Sequence, residues 1–127
     1  MVLGKTKLIH EDLTYKIIGC AFEVHKELGP RFLEAAYEEA MLIELKQQKL
    51  NAISQKSFPL FYKGVRIKDY VCDLVVDDKM ILELKALKKI GDIERAQTLN
   101  YLKVTGLKVG LILNFGEKSL KHERLVL

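Results

Sequence analysis

Three ionisable residues interrupt the apolar runs of the most strand-like segment of the chain. Asp73, Glu83 and Lys85 stand among Val, Ile, Leu and Met in the segment DYVCDLVVDDKMILELKALKK, residues 69–89. Charged side chains are almost never fully buried unless they are paired or bind a metal ion. Two carboxylates beside one ammonium group offer hard oxygen ligands of the kind that suit Mg²⁺. A buried ion pair between Lys85 and either acid is the alternative, and the residue types leave both interpretations open.

The metal-site hypothesis requires Asp73 and Glu83 to lie on one face of a sheet. Residues directly opposite each other in an antiparallel pair of strands face the same way. A three-residue turn at 77–79, with Val76 opposite Met80, would bring Asp73 opposite Glu83. A two-residue turn would place the two acids on opposite faces. The hypothesis therefore depends on an odd turn or a bulge.

The hydrophobic pattern around these residues predicts three helices and five strands. Apolar positions three and four apart indicate helices, and alternating positions indicate strands. Helices are expected over residues 13–28, 32–49 and 91–105. A hairpin is expected from residue 52 to residue 76, with its turn at Lys63 and Gly64. Further strands are expected over residues 80–87 and 107–115, with a short one at the C-terminus.

This order of elements predicts an α/β fold with a mixed central sheet. The first three strands should form an antiparallel meander, and a helical crossover should make the fourth strand parallel to the third. Pro59 marks the first strand as an edge or bulged strand. Alternation places Asp73 on the same face of the second strand as Val71 and Val75. The third strand is apolar on both faces, so it should lie inside the sheet with helices on either side.

Composition narrows the class of protein without fixing its function. The 127 residues fit a single domain, 1–127. The net charge of +4 leans weakly towards a polyanionic partner. Cys20 and Cys72 are far apart and in apolar surroundings, which favours buried free thiols over a zinc site. No stretch has the length of a membrane span, so we expect a cytoplasmic protein with no membrane partner.

Asp73 followed by Glu83-Leu84-Lys85 resembles the D…(D/E)xK signature of the PD-(D/E)xK nuclease superfamily. Residues 97–101, QTLNY, resemble the QxxxY motif of its RecB-like branches, and Glu34 matches an acidic residue on the first core helix. From about residue 15 onward the chain resembles the small GxxExxY proteins placed in the same superfamily.

The resemblance implies an αβββαβ core, with an extra N-terminal helix and a short C-terminal strand. It also implies a hydrolase that cuts nucleic acid, DNA above all, with Mg²⁺ or Mn²⁺. Asp73, Glu83 and the backbone carbonyl of Leu84 would bind the metal. Lys85 would orient or deprotonate the attacking water and offset charge on the phosphate.

Further site residues follow from the same resemblance. Glu34 would hold a second metal ion or its water shell, and Gln97 and Tyr101 would position Lys85 or a substrate phosphate. Each also has a structural reading: Glu34 suits a helix N-terminus, and Gln97 and Tyr101 could be an ordinary amphipathic pair. Lys88 and Arg95 are candidate contacts to the phosphate backbone, although solvated charge is the default for both.

Arg31 is a departure from the GxxExxY pattern, because it stands where that motif has glycine. If the position needed a positive φ, arginine would be strained there. Arg31 could also hold a phosphate at the helix start. The interpretation is a metal-dependent nuclease, with self-association into a homodimer expected. The alternative is a catalytically silent nuclease fold that binds nucleic acid or assembles with proteins.

Overall fold

The structure is a computed structural model that describes residues 8–127. Two helices come first, followed by a meander of three strands, a third helix and two more strands. The elements are α1 (Glu11–Leu28), α2 (Glu34–Gln47), β1 (Ala52–Tyr62), β2 (Val65–Val76), β3 (Met80–Lys85), α3 (Asp92–Thr105), β4 (Val109–Asn114) and β5 (Lys121–Val126).

The five strands form one sheet in the order β1-β2-β3-β4-β5. β3 and β4 are parallel, and the other neighbouring pairs are antiparallel. The predicted mixed sheet, the meander and the central position of β3 are therefore confirmed. β1 is an edge strand, as Pro59 indicated, and its register with β2 shifts between Leu60 and Phe61.

Helices cover both faces of the sheet, as predicted. The larger core cluster packs α1 and α2 against one face, and Tyr37, Met41 and Leu45 of α2 are fully buried there. A smaller cluster on the other face includes Ile81 of β3 and Leu102 of α3. Within residues 8–127, no helix combines the length and the hydropathy of a transmembrane span.

Several predicted elements have different ends in the structure, and side-chain contacts account for two of these differences. α2 begins at Glu34 rather than residue 32, because the Tyr37 hydroxyl accepts a hydrogen bond from Phe32 N–H and donates one to Gly29 C=O. β3 ends at Lys85 rather than residue 87. The backbone N–H and C=O of Leu87 bond instead to the side-chain amide of Asn114, at 2.9 and 3.0 Å.

The outer part of the β1–β2 hairpin extends beyond the rest of the sheet. Its turn is at Lys63 and Gly64, both with positive φ (48° and 79°), which is the geometry of a type I′ hairpin. β3 pairs only with residues 74–76 of β2. The preceding residues of β2 pair with β1 alone. We call residues 56–72 the arm.

Candidate active site

Asp73 lies where β2 interrupts its regular alternation of faces. Cys72 and Val75 are three residues apart, yet both are buried in the cluster beneath α3. The prediction that Val71 shares a face with Val75 is wrong, because Val71 is exposed. The residue of β1 level with Asp73 is Gln55, whose φ is 53°. Because the backbone changes direction here, Asp73 is not paired with a residue of β1.

Two reciprocal hydrogen bonds join Asp73 to the β3 residues opposite it. Asp73 N–H donates to Glu83 Oε2 at 3.1 Å, and Leu84 N–H donates to Asp73 Oδ2 at 2.8 Å. The three-residue turn sets this register, since Val76 pairs with Met80 as the hypothesis required. The second oxygen of each carboxylate accepts no hydrogen bond from residues 8–127.

Glu83 is a buried carboxylate, with 3% of its surface exposed. Burial first, and the nearby Asp73 second, raise its pKa from 4.5 to about 8. The Asp73 N–H bond and Lys85 act in the opposite direction, while Glu34 adds to the rise. Within the described chain, no Lys or Arg nitrogen lies within 4.0 Å of either acid, so the buried ion pair is not formed. Lys85 acts on the acids only from a distance, without a direct ion pair.

Lys85 lies at the end of β3, half-buried and directed towards α3. Its Nζ donates a long hydrogen bond of 3.4 Å to Gln97 Oε1. Lys85 is also the group that opposes the rise in the pKa of Glu34, which places it within electrostatic reach of that residue. Lys85 therefore contacts Gln97 on α3 and acts electrostatically on the acids of the site.

Glu34 is the first residue of α2 and lies at the edge of a small cavity of ≈210 Å³. Asp73 and Leu84 also line this cavity. The pKa of Glu34 is raised by burial first and by Asp73, with Lys85 opposing. A third acid thus faces the Asp73–Glu83 pair from another element.

Gln97 and Tyr101 line a second cavity of ≈430 Å³, together with residues 68–71 of the arm. The Tyr101 ring meets the Tyr70 ring edge to face, with centroids 5.6 Å apart. Burial first, and then Glu83, raise the pKa of Tyr101 to about 12, so its hydroxyl remains a proton donor at neutral pH. The QxxxY pair therefore borders the acidic cluster on the side of α3.

A family model described as the PD-(D/E)XK nuclease superfamily matches residues 11–125. The chain belongs to the PD-(D/E)XK nuclease superfamily. The match spans all eight elements except the last residue of β5. Comparisons with curated proteins and with solved structures give no match.

The donor atoms of this superfamily member fit the requirements of Mg²⁺. Among residues 8–127, no three His, Cys, Asp or Glu side chains are grouped so that they could hold a metal ion. Mg²⁺ does not need three, since it is usually bound through one or two carboxylates and keeps several waters. Asp73 and Glu83 supply two carboxylates, each with a free oxygen. A divalent cation would supply the direct positive contact that the two acids do not receive from Lys85.

Two residues beside the site carry no signal in the superfamily signature. Glu38 accepts hydrogen bonds from Gln55 Nε2 at 2.7 Å and Ser54 Oγ at 3.2 Å, and both Glu38 and Gln55 line the cavity with Glu34. Glu38 could have been found, because it lies one helical turn after Glu34 on the same face. Nothing in the sequence indicates the positive φ of Gln55.

The three candidate substrate contacts differ in their surroundings. Arg95 is committed to carboxylates of its own chain: Nε and Nη2 each lie 2.7 Å from Glu123, and Nη1 lies 2.8 Å from Asp92. Arg95 is therefore not available as proposed for a phosphate. Lys88 is exposed beyond the end of β3. Arg31 is exposed and has no positive φ, so the strain considered for it is absent.

Two buried side chains hold the segments that carry the site. Tyr37 stacks on Phe115 with centroids 4.5 Å apart, and its hydroxyl fixes the segment before Glu34. Asn114 holds the chain after Lys85 through Leu87. Tyr37 appears in the sequence motif without an evident role, and Asn114 carries no motif at all. Their contribution is to hold the backbone in place.

Proposed function

We propose that this protein is a divalent-metal-dependent nuclease that hydrolyses phosphodiester bonds of DNA. The supporting observation is the Asp73–Glu83 pair, which is held by two backbone hydrogen bonds and has no cation within ion-pair distance in the described chain. A purely structural carboxylate pair would be costly, because like charges in a dry site repel and resist ionisation. Metal binding gives this arrangement a function.

Asp73, Glu83 and the Leu84 carbonyl would hold Mg²⁺ or Mn²⁺. When bound, the metal ion would polarise the scissile phosphate and lower the pKa of a water molecule. Glu83 must release its proton for this, since its pKa is about 8 without metal. Lys85 would offset the charge that develops on the phosphate, and would orient or deprotonate the water.

The remaining site residues would position Lys85, water and the substrate phosphate, or bind a second metal ion. Gln97 accepts the Lys85 hydrogen bond, so it would fix the direction of the ammonium group. Glu34 would hold water on the opposite side of the cavity, or a second metal ion. Tyr101 would position a phosphate oxygen by donating a hydrogen bond to it from its hydroxyl. Arg31 and Lys88 are both exposed, and they would contact the phosphate backbone of the DNA on either side of the cleaved bond.

The test is cleavage of labelled DNA by the purified protein. Single-stranded, duplex and branched DNA, and RNA, would be incubated with Mg²⁺, with Mn²⁺ and with chelator. We expect cleavage of DNA that requires metal and is lost in Asp73→Asn, which keeps the shape of the side chain but removes its charge. Calorimetric titration should show that the same variant loses metal binding.

Asp78→Asn is a matched control, because Asp78 lies in the neighbouring turn and its side chain is 71% exposed. It should cleave like the wild type. Absence of metal-dependent cleavage for every substrate would contradict the proposal and favour the non-catalytic alternative. We also propose a cytoplasmic location and self-association into a dimer, the latter to be checked by light scattering.

A further inference from the structure

The arm is a two-stranded ribbon whose outer half has little to pack against. Residues 61–69 are all exposed. Isolated two-stranded hairpins are marginally stable in water. Long exposed strands are also hazards that proteins usually shorten or cover. We therefore expect a binding partner to cover a ribbon of this length at the edge of the sheet.

The outer half of the arm combines apolar and aromatic surface. Phe61, Tyr62, Val65 and Ile67 are each between 57% and 62% exposed. They flank the turn on both strands, with Tyr62 directly opposite Val65. Apolar surface of this kind suits contact with another molecule rather than with water.

The charge of the arm identifies the chemistry of that partner. Residues 56–72 contain four basic side chains and one acidic side chain, a net charge of +3 against +4 for the whole chain. Lys63 and Lys68 form no ion pair within the described chain, and their Nζ atoms stand 5.4 and 5.1 Å from the Tyr62 and Tyr70 rings. The arm therefore has a net positive charge close to that of the whole chain.

We propose that the arm binds duplex DNA and lies in its major groove. The inference rests on the proposed function for its link to cleavage. The major groove of B-DNA, about 12 Å wide, admits a two-stranded β-ribbon and offers thymine methyl groups to apolar side chains. The major groove of A-form RNA is too deep and narrow for side chains to read. Packing of the arm against the arm of a second copy would bring +3 against +3, which is repulsive.

The arm is continuous with the candidate site. Asp73 follows its last residue, and Tyr70 within it contacts Tyr101 of α3. Nine residues separate Asp73 from Lys63 at the tip. At about 3.3 Å per residue they span about 30 Å, close to one turn of B-DNA. Contacts along the arm would thus set how the duplex meets the acids.

The test is duplex binding by Lys63→Gln/Lys68→Gln, measured by fluorescence anisotropy with a labelled 20-base-pair DNA. The buffer contains chelator, so neither metal nor cleavage is involved. Each lost phosphate contact reduces the slope of log K against log salt by about 0.9. We expect the slope to fall by about 2 and the affinity at 50 mM salt to fall at least tenfold. Thermal melts establish that the variant is folded.

Lys16→Gln/Lys46→Gln is the matched control, because it removes the same charge from exposed positions on α1 and α2. It should keep the slope of the wild type. Val65→Ser/Ile67→Ser tests the apolar surface, and should weaken duplex binding without changing the salt slope. Sedimentation of the same variants measures self-association.

Several outcomes would overturn the inference. Unchanged binding by both arm variants would do so, as would an equal loss in the control variant. Arm variants that dissolve a dimer but bind duplex normally would make the arm a self-association surface. If the arm variants weaken the binding of duplex RNA as much as that of duplex DNA, the major-groove contact is excluded. Cleavage is assayed separately, so a wild type that binds through its arm but never cleaves would contradict only the proposed function.

Discussion

Replacing Glu83 by glutamine should stabilise the protein in chelator, and the gain should grow with pH. Glutamine keeps an oxygen that can accept the Asp73 N–H but has no charge to bury. In the wild type, burial and Asp73 raise the pKa of Glu83 from 4.5 to about 8. Between these pH values the folded protein holds a proton that the unfolded chain has lost. The free energy of unfolding of the wild type therefore falls as pH rises through this interval.

The size of this effect follows from the two pKa values, 4.5 unfolded and about 8 folded. At about 1.36 kcal/mol per pH unit, the free energy of unfolding of the wild type falls by about 3 kcal/mol by pH 7. The fall reaches about 5 kcal/mol above pH 8. Glu83→Gln does not lose it. The difference in stability between the two proteins should therefore rise by these amounts from its value at pH 4.5.

Urea denaturation at pH 5, 7 and 9 measures this difference. Glu27→Gln, at an exposed position of α1, is the matched control and should follow the wild type at every pH. Adding Mg²⁺ should stabilise the wild type at pH 9 but not Glu83→Gln, because a ligand that binds only the folded state raises its stability. If the difference in free energy of unfolding between Glu83→Gln and the wild type does not change with pH, the reasoning is refuted.

Three further variants test the groups around the pair. Lys85→Ala should abolish cleavage but keep metal binding by calorimetry, since it removes a cation and no ligand; normal cleavage would exclude Lys85 from the mechanism. Tyr37→Phe should lower the free energy of unfolding by about 1–3 kcal/mol in urea, because two backbone groups lose their hydroxyl partner; an unchanged midpoint would contradict that role. Asn114→Ala should cost about 3 kcal/mol or more and also reduce cleavage, because it frees the chain after Lys85; full activity with lower stability would limit Asn114 to the fold.

The order and pairing of the elements could be predicted because they depend on local patterns. Alternation and turn residues define the β1–β2 hairpin, and a strand–helix–strand run defines the parallel pair of β3 and β4. The three-residue turn after Val76 follows from the same logic, and it determines which residues lie opposite Asp73. These features need no knowledge of distant contacts.

The features that could not be predicted depend on contacts between distant residues. In the sequence, Arg95 is simply a basic residue of the third helix. In the structure it forms hydrogen bonds with the carboxylate of Glu123, 28 positions later. The end of β3 depends on the Asn114 side chain, which comes 27 residues after Leu87. The interrupted alternation at Asp73 depends on the backbone of Gln55 in the neighbouring strand. Periodicity within one strand contains none of this information.

The arm and the acidic pair are set by two different turns of the same meander. The turn after Val76 fixes Asp73 against Glu83, while the turn at Lys63 and Gly64 fixes only the pairing within the arm. Adding or removing one residue from each strand of the arm would change its reach by about 3.3 Å and leave the acids in register. The arm can therefore be lengthened, shortened or exchanged without moving the acids; under the proposed function, such changes would alter substrate preference and leave the chemistry constant.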